Sequence, residues 1–213
     1  MVLKAIARTS ETDTQTDKLF IGLHGWGANA QDLATLADYL PLPGYQMIFP
    51  DAPFPHPHAP GGRMWYGFPA AYDFQTPYDF EQQSDLQESR QQLQTWLTQI
   101  AQDTGIPPEK TVMAGFSQGG AMTLDVGLKL PLAGVLVLSG YLHSLPAPHP
   151  NLGPVLVVHG RQDPVVPIQK ARQAREVLEA QKVDLTYQEF QMGHEVSPLV
   201  LQQIKAFCHQ LKP

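Results

Sequence analysis

The chain has 213 residues, of which 43% are hydrophobic and 16% are charged, so it can fill a sizeable core and is not expected to be disordered. The formal net charge of −6 would repel a polyanion, which excludes nucleic acid as an expected partner, and no apolar run approaches the ~20 residues that span a bilayer. The single cysteine, Cys208, excludes an internal disulfide and a thiolate cluster for zinc or iron–sulfur.

Seven short apolar runs predict β-strands. In chain order they are Val2–Arg8, Lys18–Leu23, Tyr45–Phe49, Thr111–Phe116, Ala133–Ser139, Pro154–His159 and Asp184–Phe190. The runs at 135–138 and 155–158 are continuously apolar, which is typical of strands in a parallel sheet that helices cover on both faces. The first two runs flank a polar loop at residues 9–17, which suggests an antiparallel hairpin.

Helical spacing of apolar residues appears between the later strands. It predicts helices over Glu81–Asp103 and over residues 118–130, 168–181 and 196–211. Alternating strands and helices with right-handed crossovers predict a doubly wound α/β sheet in a single domain that spans residues 1–213.

Residues 50–80 follow neither the helical nor the strand period. They are rich in Pro, Gly and aromatic residues, including Met64, Trp65, Tyr66 and Phe68. A long loop in a compact domain is usually functional or disordered, and the aromatic residues argue against disorder. We expect this segment to form a wall of a substrate pocket, together with Trp26, Phe116 and Val166, so that Trp65→Ala would favour longer acyl chains. The alternative is that its aromatic residues only attach the loop to the core.

The sequence TVMAGFSQGG at residues 111–120 places a G-x-S-x-G pattern between a predicted strand and a predicted helix. A tight turn there needs small residues two before and two after Ser117, and it exposes the serine at the carboxyl edge of the sheet beside a helix N-terminus. This context predicts a nucleophile elbow with Ser117 as the nucleophile. The alternative is a Gly-rich turn that merely starts a helix.

A serine nucleophile needs a base, and His194 follows the last predicted strand in the loop QMGHE, at the same edge as Ser117. An acid should lie between these two residues in the chain. Asp163 follows the strand VLVVHG by a few residues, and its carboxylate could accept the imidazole N–H. Glu189 is the second candidate for the acid, and a turn or helix-capping position is the alternative for Asp163.

Acyl transfer also needs hydrogen-bond donors for an oxyanion. The amide of Gln118, directly after the serine, is one candidate. The second should come from the strand end FIGLHGWG at residues 20–27, which ends in His-Gly-x-Gly and whose glycines permit close backbone approach. The spacing alone leaves open which amide between Leu23 and Gly27 is used.

The blocks LHGWG, FPDAP, GFSQGG, HGRQDPVVP and GHEV together resemble the small serine-esterase family of the α/β-hydrolase fold, in order and spacing over nearly the whole chain. That family includes carboxylesterases, acyl-protein thioesterases and lysophospholipases. The resemblance implies a mostly parallel seven-stranded sheet without a separate cap domain. It also implies a catalytic triad of Ser117, Asp163 and His194, with Leu23 as the second oxyanion donor.

Two stretches depart from the family pattern. Trp26 stands where relatives more often carry leucine, and GGRMWYGF differs from the usual sequence of eukaryotic thioesterases. Both departures concern the acyl substrate, whereas the residues of the reaction are unchanged.

We therefore expect a cytoplasmic, cofactor-free and metal-free carboxylesterase that acts on short- to medium-chain acyl esters or lipid-like substrates. A thioesterase for acylated proteins or a lysophospholipase is the alternative within enzymes. A ligand-binding homologue without chemistry is the alternative outside them, although such proteins usually lose a triad member. The sequence leaves open whether the chain forms a homodimer.

Overall fold

A computed structural model describes residues 3–9, 16–70, 72–76, 78–145 and 147–211. Within these ranges, the strands are β1 (Ala5–Thr9), β2 (Lys18–Leu23), β3 (Tyr45–Pro50), β4 (Phe54–Pro55), β5 (Arg63–Met64), β6 (Thr111–Phe116), β7 (Gly134–Leu138), β8 (Val155–Gly160) and β9 (Leu185–Phe190). Seven of them form one sheet in the order β1-β3-β2-β6-β7-β8-β9. All neighbours are parallel except β1 and β3, which confirms the predicted mostly parallel sheet.

The suggested hairpin between the first two strands is wrong. β1 pairs antiparallel with β3, from Ala5 opposite Pro50 to Thr9 opposite Gln46. β2 instead has parallel neighbours on both sides, β3 and β6. The reason lies in burial, because β2 is buried along nearly its whole length, whereas the residues of β1 alternate between exposed and half-buried, as in an edge strand.

Helices cover both faces of the sheet. They are α1 (Ala30–Ala34), α2 (Ser84–Thr104), α3 (Gln118–Val126), α4 (Ile168–Ala180) and α5 (Pro198–Gln210). One apolar layer holds residues of α2, α3 and α4, and the layer on the other face holds residues of α1 and α5. Val135 and Val137 of β7 face the first layer, and Leu136 and Leu138 face the second, which explains why the run is continuously apolar.

The four predicted helices are present within a few residues of their expected bounds. The short helix α1 was not predicted, although its sequence carries a capping signal. The Asn29 side chain accepts a hydrogen bond from the backbone N–H of Asp32, and the Asp32 side chain accepts one from the backbone N–H of Asn29.

The described residues of the segment at 50–80 are largely irregular, as its composition predicts. The short strands β4 and β5 pair antiparallel within it. Trp65 and Tyr66 are fully buried, and Phe80 is nearly so. The Arg63 guanidinium donates hydrogen bonds to the carbonyl oxygens of Ala52 and Pro53, which ties the segment to its own start. No helix in the described ranges is long and apolar enough to cross a membrane.

Candidate active site

The turn after β6 is as tight as the G-x-S-x-G pattern predicts. Ser117 joins β6 to α3 with φ 55° and ψ −117°, a backbone conformation that is rare for residues with a Cβ. A Cβ on Gly115 would lie 2.1 Å from the carbonyl oxygen of Gly119, and a Cβ on Gly119 would lie 2.2 Å from the carbonyl oxygen of Leu23. Both flanking positions therefore require glycine, and Ser117 lies at the N-terminus of α3.

His194 and Asp163 are joined by a hydrogen bond of 2.7 Å between Nδ1 and Oδ2. They lie in the loops that follow β9 and β8, which are neighbouring strands. A main-chain hydrogen bond of 3.1 Å from Gln162 to Met192 links the two loops. The imidazole of His194 lies against the ring of Phe116, with 4.7 Å between ring centroids. The structure thus brings His194 beside the residue that precedes Ser117.

The environment of Asp163 keeps its carboxylate charged. Oδ1 accepts hydrogen bonds from the backbone N–H groups of Val165 and Val166, at 2.8 and 2.9 Å. Burial raises the pKa of Asp163, but the hydrogen bonds from His194 and the two amides outweigh burial and hold the pKa below its ordinary value. A charged Asp163 stabilises the tautomer of His194 with its proton on Nδ1, which leaves Nε2 as the basic nitrogen.

Other carboxylates in this part of the chain are engaged by cations. Glu189, the second candidate for the acid, binds Arg172 and Arg161, and the hydrogen bond from Arg172 lowers the pKa of Glu189 to about 2. Asp125 of α3 binds Arg90 at 2.6 Å and Lys129 at 2.9 Å. Of these three carboxylates, Asp163 is the one hydrogen-bonded to His194.

The loop after β2 contacts the turn that holds Ser117. Leu23 pairs with Gly115 in the sheet, and the carbonyl oxygens of Leu23 and His24 lie directly against Gly119. Gln118 is the first residue of α3. The two segments predicted to supply oxyanion donors, at Leu23 and at Gln118, are therefore packed together.

The residues expected to line a substrate pocket fall into two groups. Trp26 is 43% exposed, and Met64 and Phe116 are partly exposed. The Trp26 ring lies against His56, at 4.2 Å between centroids, and against Phe68, at 5.6 Å. These side chains remain candidates for a pocket wall.

The second group differs from the expectation. Trp65, Tyr66 and Val166 each have 0% of their surface exposed, so the structure places them beneath the surface rather than on an open wall. Burial of these side chains leaves no polar group unpaired, because Val166 is apolar and the polar groups of Trp65 and Tyr66 have partners inside the protein. The indole N–H of Trp65 donates to the carbonyl oxygen of His24, and the Tyr66 hydroxyl is hydrogen-bonded to Tyr141 and His143.

Sequence reasoning missed two buried histidines that support the site. The Nε2 atom of His24 accepts the backbone N–H of Ala52 at 3.0 Å, and its Nδ1–H donates to the carbonyl oxygen of Gly25 at 2.7 Å. His159 donates from Nε2 to the carbonyl oxygen of Val166 at 2.8 Å and lies 3.4 Å from Asp163. The available signal was a histidine at the end of an apolar strand, as in VLVVHG, because such a position is buried.

Comparisons with known proteins identify the family of the chain. The family model described as phospholipase/carboxylesterase matches residues 4–212. Acyl-protein thioesterase 1 of Saccharomyces cerevisiae is 30% identical over 208 residues, which cover 88% of this chain and 89% of that protein. Acyl-protein thioesterase 1 of Gibberella zeae is 35% identical over 122 residues, so the match spans about half of each chain, 52%.

Solved structures show the same fold. The crystal structure of esterase PE8 superimposes with a TM-score of 0.88 at 24% identity and covers 100% of both chains. The structure of SOBER1 from Arabidopsis thaliana has a TM-score of 0.78 at 25% identity and covers 91% of this chain and 98% of that one. The chain therefore belongs to the phospholipase/carboxylesterase family and has the α/β-hydrolase fold.

Proposed function

We propose that this hydrolase cleaves acyl esters through an acyl-enzyme on Ser117. The observation that carries the proposal is the hydrogen bond of 2.7 Å between His194 and Asp163. The loops that hold these two residues lie at the same edge of the sheet as a strained serine at the start of α3. A strained serine, with an aspartate-bound imidazole packed against the residue that precedes it, is the arrangement that nucleophilic acyl transfer needs.

The reaction follows from these positions. The Nε2 atom of His194 removes the Ser117 hydroxyl proton as Oγ attacks the carbonyl carbon of the ester. The backbone amides of Gln118 and Leu23 donate hydrogen bonds to the resulting oxyanion, aided by the N-terminus of α3. The tetrahedral intermediate then collapses, and the leaving alcohol takes the proton from His194. Water, deprotonated by the same imidazole, attacks the acyl-enzyme and releases the acid and Ser117.

We propose short- to medium-chain carboxylic esters as the substrate class. The exposed indole of Trp26 is held between His56 and Phe68, and an indole there would narrow a groove beside the serine. The second candidate is a thioester of an acylated protein, which the relatives named acyl-protein thioesterase 1 favour. Both substrates pass through the same acyl-enzyme, and they differ in the leaving group.

A fluorophosphonate probe tests the serine mechanism. We expect one label per chain in the wild type, and we expect Ser117→Ala to abolish labelling and to lower kcat by several orders of magnitude, since the nucleophile is gone. Labelling that survives the substitution would contradict the proposal.

A substrate panel tests the substrate class. It consists of aryl esters from short to long acyl chains, an acyl-CoA, a lysophospholipid and a palmitoylated peptide. The highest kcat/KM is expected for a short or medium aryl ester. A higher kcat/KM for the palmitoylated peptide would favour the thioesterase instead.

A further inference from the structure

Trp65 connects the two chain segments that the proposed mechanism uses to bind the oxyanion. Its backbone N–H donates to Oε1 of Gln118 at 2.8 Å, and its indole Nε1–H donates to the carbonyl oxygen of His24 at 3.0 Å. Its own carbonyl oxygen accepts a hydrogen bond from the hydroxyl of Ser89 in α2. All three polar groups of this fully buried residue therefore have a partner.

The side chain of Gln118 is committed to the same segment. Oε1 accepts from Trp65, and Nε2 donates to the carbonyl oxygen of Tyr66 at 2.7 Å. Gln118 is 1% exposed, so water does not compete for these bonds. Two hydrogen bonds from one planar amide fix the side-chain rotamer of Gln118, and with it the orientation of the first peptide of α3.

The opposite side of the contact is equally constrained. The carbonyl oxygen of His24, which Trp65 binds, lies next to Leu23 in the chain and against Gly119 of α3. The imidazole of His24 is fixed between Ala52 and the carbonyl oxygen of Gly25. The loop after β2 is thus bound to the start of α3 both by direct contact and through Trp65.

We propose that Trp65 is a positioning residue for the oxyanion hole, because it sets the distance between the Leu23 and Gln118 amides. The inference rests on the proposed acyl transfer and goes beyond it by assigning a task to a residue that has no exposed surface. Oxyanion donors stabilise the transition state only when they are held in place beforehand. A shift of one donor by about 1 Å can lower a rate by about 100-fold, so loss of the Trp65 contacts should appear in kcat.

The test uses two substitutions that each break one side of the connection. Trp65→Phe removes the indole N–H and keeps an aromatic ring, and Gln118→Met removes both side-chain hydrogen bonds and keeps the backbone amide. We expect each variant to lower kcat for an aryl ester by about 10- to 100-fold while KM changes by less than about twofold. The double variant should be no worse than the more damaged single variant, since both act on one connection.

An inhibitor pair separates positioning from general damage. A trifluoromethyl ketone forms a hemiketal oxyanion on Ser117, whereas the methyl ketone with the same acyl chain binds without one. We expect the inhibition constant of the trifluoromethyl ketone to rise by the same factor as kcat falls, and that of the methyl ketone to stay constant. An equal change for both ketones would overturn the proposal, as would wild-type kcat in Trp65→Phe.

Trp96→Phe is the matched control. Trp96 of α2 is a nearly buried tryptophan of the same apolar layer as Trp65, and the substitution removes an indole in the same way. It should lower Tm and leave kcat unchanged, and an equal loss of kcat would overturn the proposal. If Trp65→Phe does not fold, Gln118→Met decides by the same readouts. Fluorophosphonate labelling of the wild type separates a failure of this inference from a failure of the proposed function.

Discussion

The neighbours of Asp163 fix both the ionisation state and the orientation of its carboxylate. Three hydrogen bonds, from His194 and from the amides of Val165 and Val166, converge on its two oxygens. Since burial alone would raise the pKa of Asp163, the lowered pKa means that these bonds more than offset the cost of removing the charge from water. The charge in turn fixes which nitrogen of His194 can accept a proton.

We expect Asp163→Asn to lower kcat by about 10⁴-fold, because an amide at this position can donate to Nδ1 and so favours the wrong tautomer of His194. The fold should remain, since Asn has nearly the same shape. Ester hydrolysis and circular dichroism measure the two properties on the same sample.

Glu189→Gln is the control for Asp163→Asn. Glu189 binds Arg172 and Arg161, and it is the other carboxylate that the sequence offers as the acid. Its substitution should leave kcat unchanged. Near-wild-type activity in Asp163→Asn together with a large loss in Glu189→Gln would exchange the assignments.

At the scale of elements, the segment at residues 50–80 has two separate tasks. Trp65 and Tyr66 are buried and bind the interior, whereas His56 and Phe68 flank the exposed ring of Trp26. The segment therefore supports the core with one part and faces a candidate groove with the other.

We expect Trp26→Ala to shift the preferred acyl chain of aryl esters towards greater length. Each added CH₂ is worth about 0.8 kcal/mol, but only if it finds room, and removal of the indole provides that room. The measurement is kcat/KM across the ester series, with Tyr39→Ala, another exposed aromatic residue, as control. An unchanged chain-length dependence in Trp26→Ala would exclude Trp26 from the pocket.

Trp65→Ala is expected to lower stability, in addition to the loss of kcat proposed for the removal of its indole N–H. The sequence suggested that it would widen a pocket, but a residue with no exposed surface lines no open groove. Its loss should cost about 3–5 kcal/mol of the free energy of unfolding, as for other buried aromatic residues, and should lower Tm by many degrees. Urea unfolding monitored by circular dichroism measures this change. A wild-type free energy of unfolding would contradict the burial argument.

Features that depend on neighbouring residues could be predicted from the sequence, whereas features that depend on distant segments could not. The turn around Ser117 could be predicted because its signature occupies five consecutive residues, although the carbonyl oxygen that excludes a Cβ at Gly119 belongs to Leu23. The pairing of β1 could not, since it depends on which strand reaches the edge of the sheet, a property of the whole chain. Likewise, the composition of residues 50–80 indicated an ordered loop. The hydrogen bond from the indole of Trp65 to the carbonyl oxygen of His24 could not be predicted, because it joins two segments that are distant in the sequence.

At the scale of the whole molecule, buried neutral histidines connect stability to pH. Burial lowers the pKa of His24, His143 and His159 from the ordinary value of 6.5. As pH falls below 6.5, these residues take up protons in the unfolded chain before they do so in the folded one. The unfolded state then binds more protons, and the free energy of unfolding decreases.

We expect the urea concentration at the midpoint of unfolding to decrease as pH is lowered from 7.5 to 5.5. Each buried histidine contributes a slope of at most about 1.4 kcal/mol per pH unit in this window. Carboxylates with lowered pKa, such as Asp163, lose their stabilising contribution only as pH falls below about 4, so they do not produce this slope.

Two variants identify the source of the slope. His143→Gln removes one buried titrating ring and should make the dependence shallower. His209→Gln, a change at an exposed histidine, is the control. A urea midpoint that does not vary over this pH range would refute the inference that the buried histidines are neutral in the folded protein.

The candidate site lies at the carboxyl ends of the parallel strands, and the loops that precede these strands lie at the opposite edge of the sheet. Asn151 lies in such a loop before β8, in a cleft shared with Asp184 and Gln210, and a strand of six residues spans about 20 Å. A thiol introduced as Asn151→Cys would be the accessible one, because Cys208 is buried. Coupling through it would fasten the enzyme to a solid support with Ser117, Asp163 and His194 turned towards the surrounding solution.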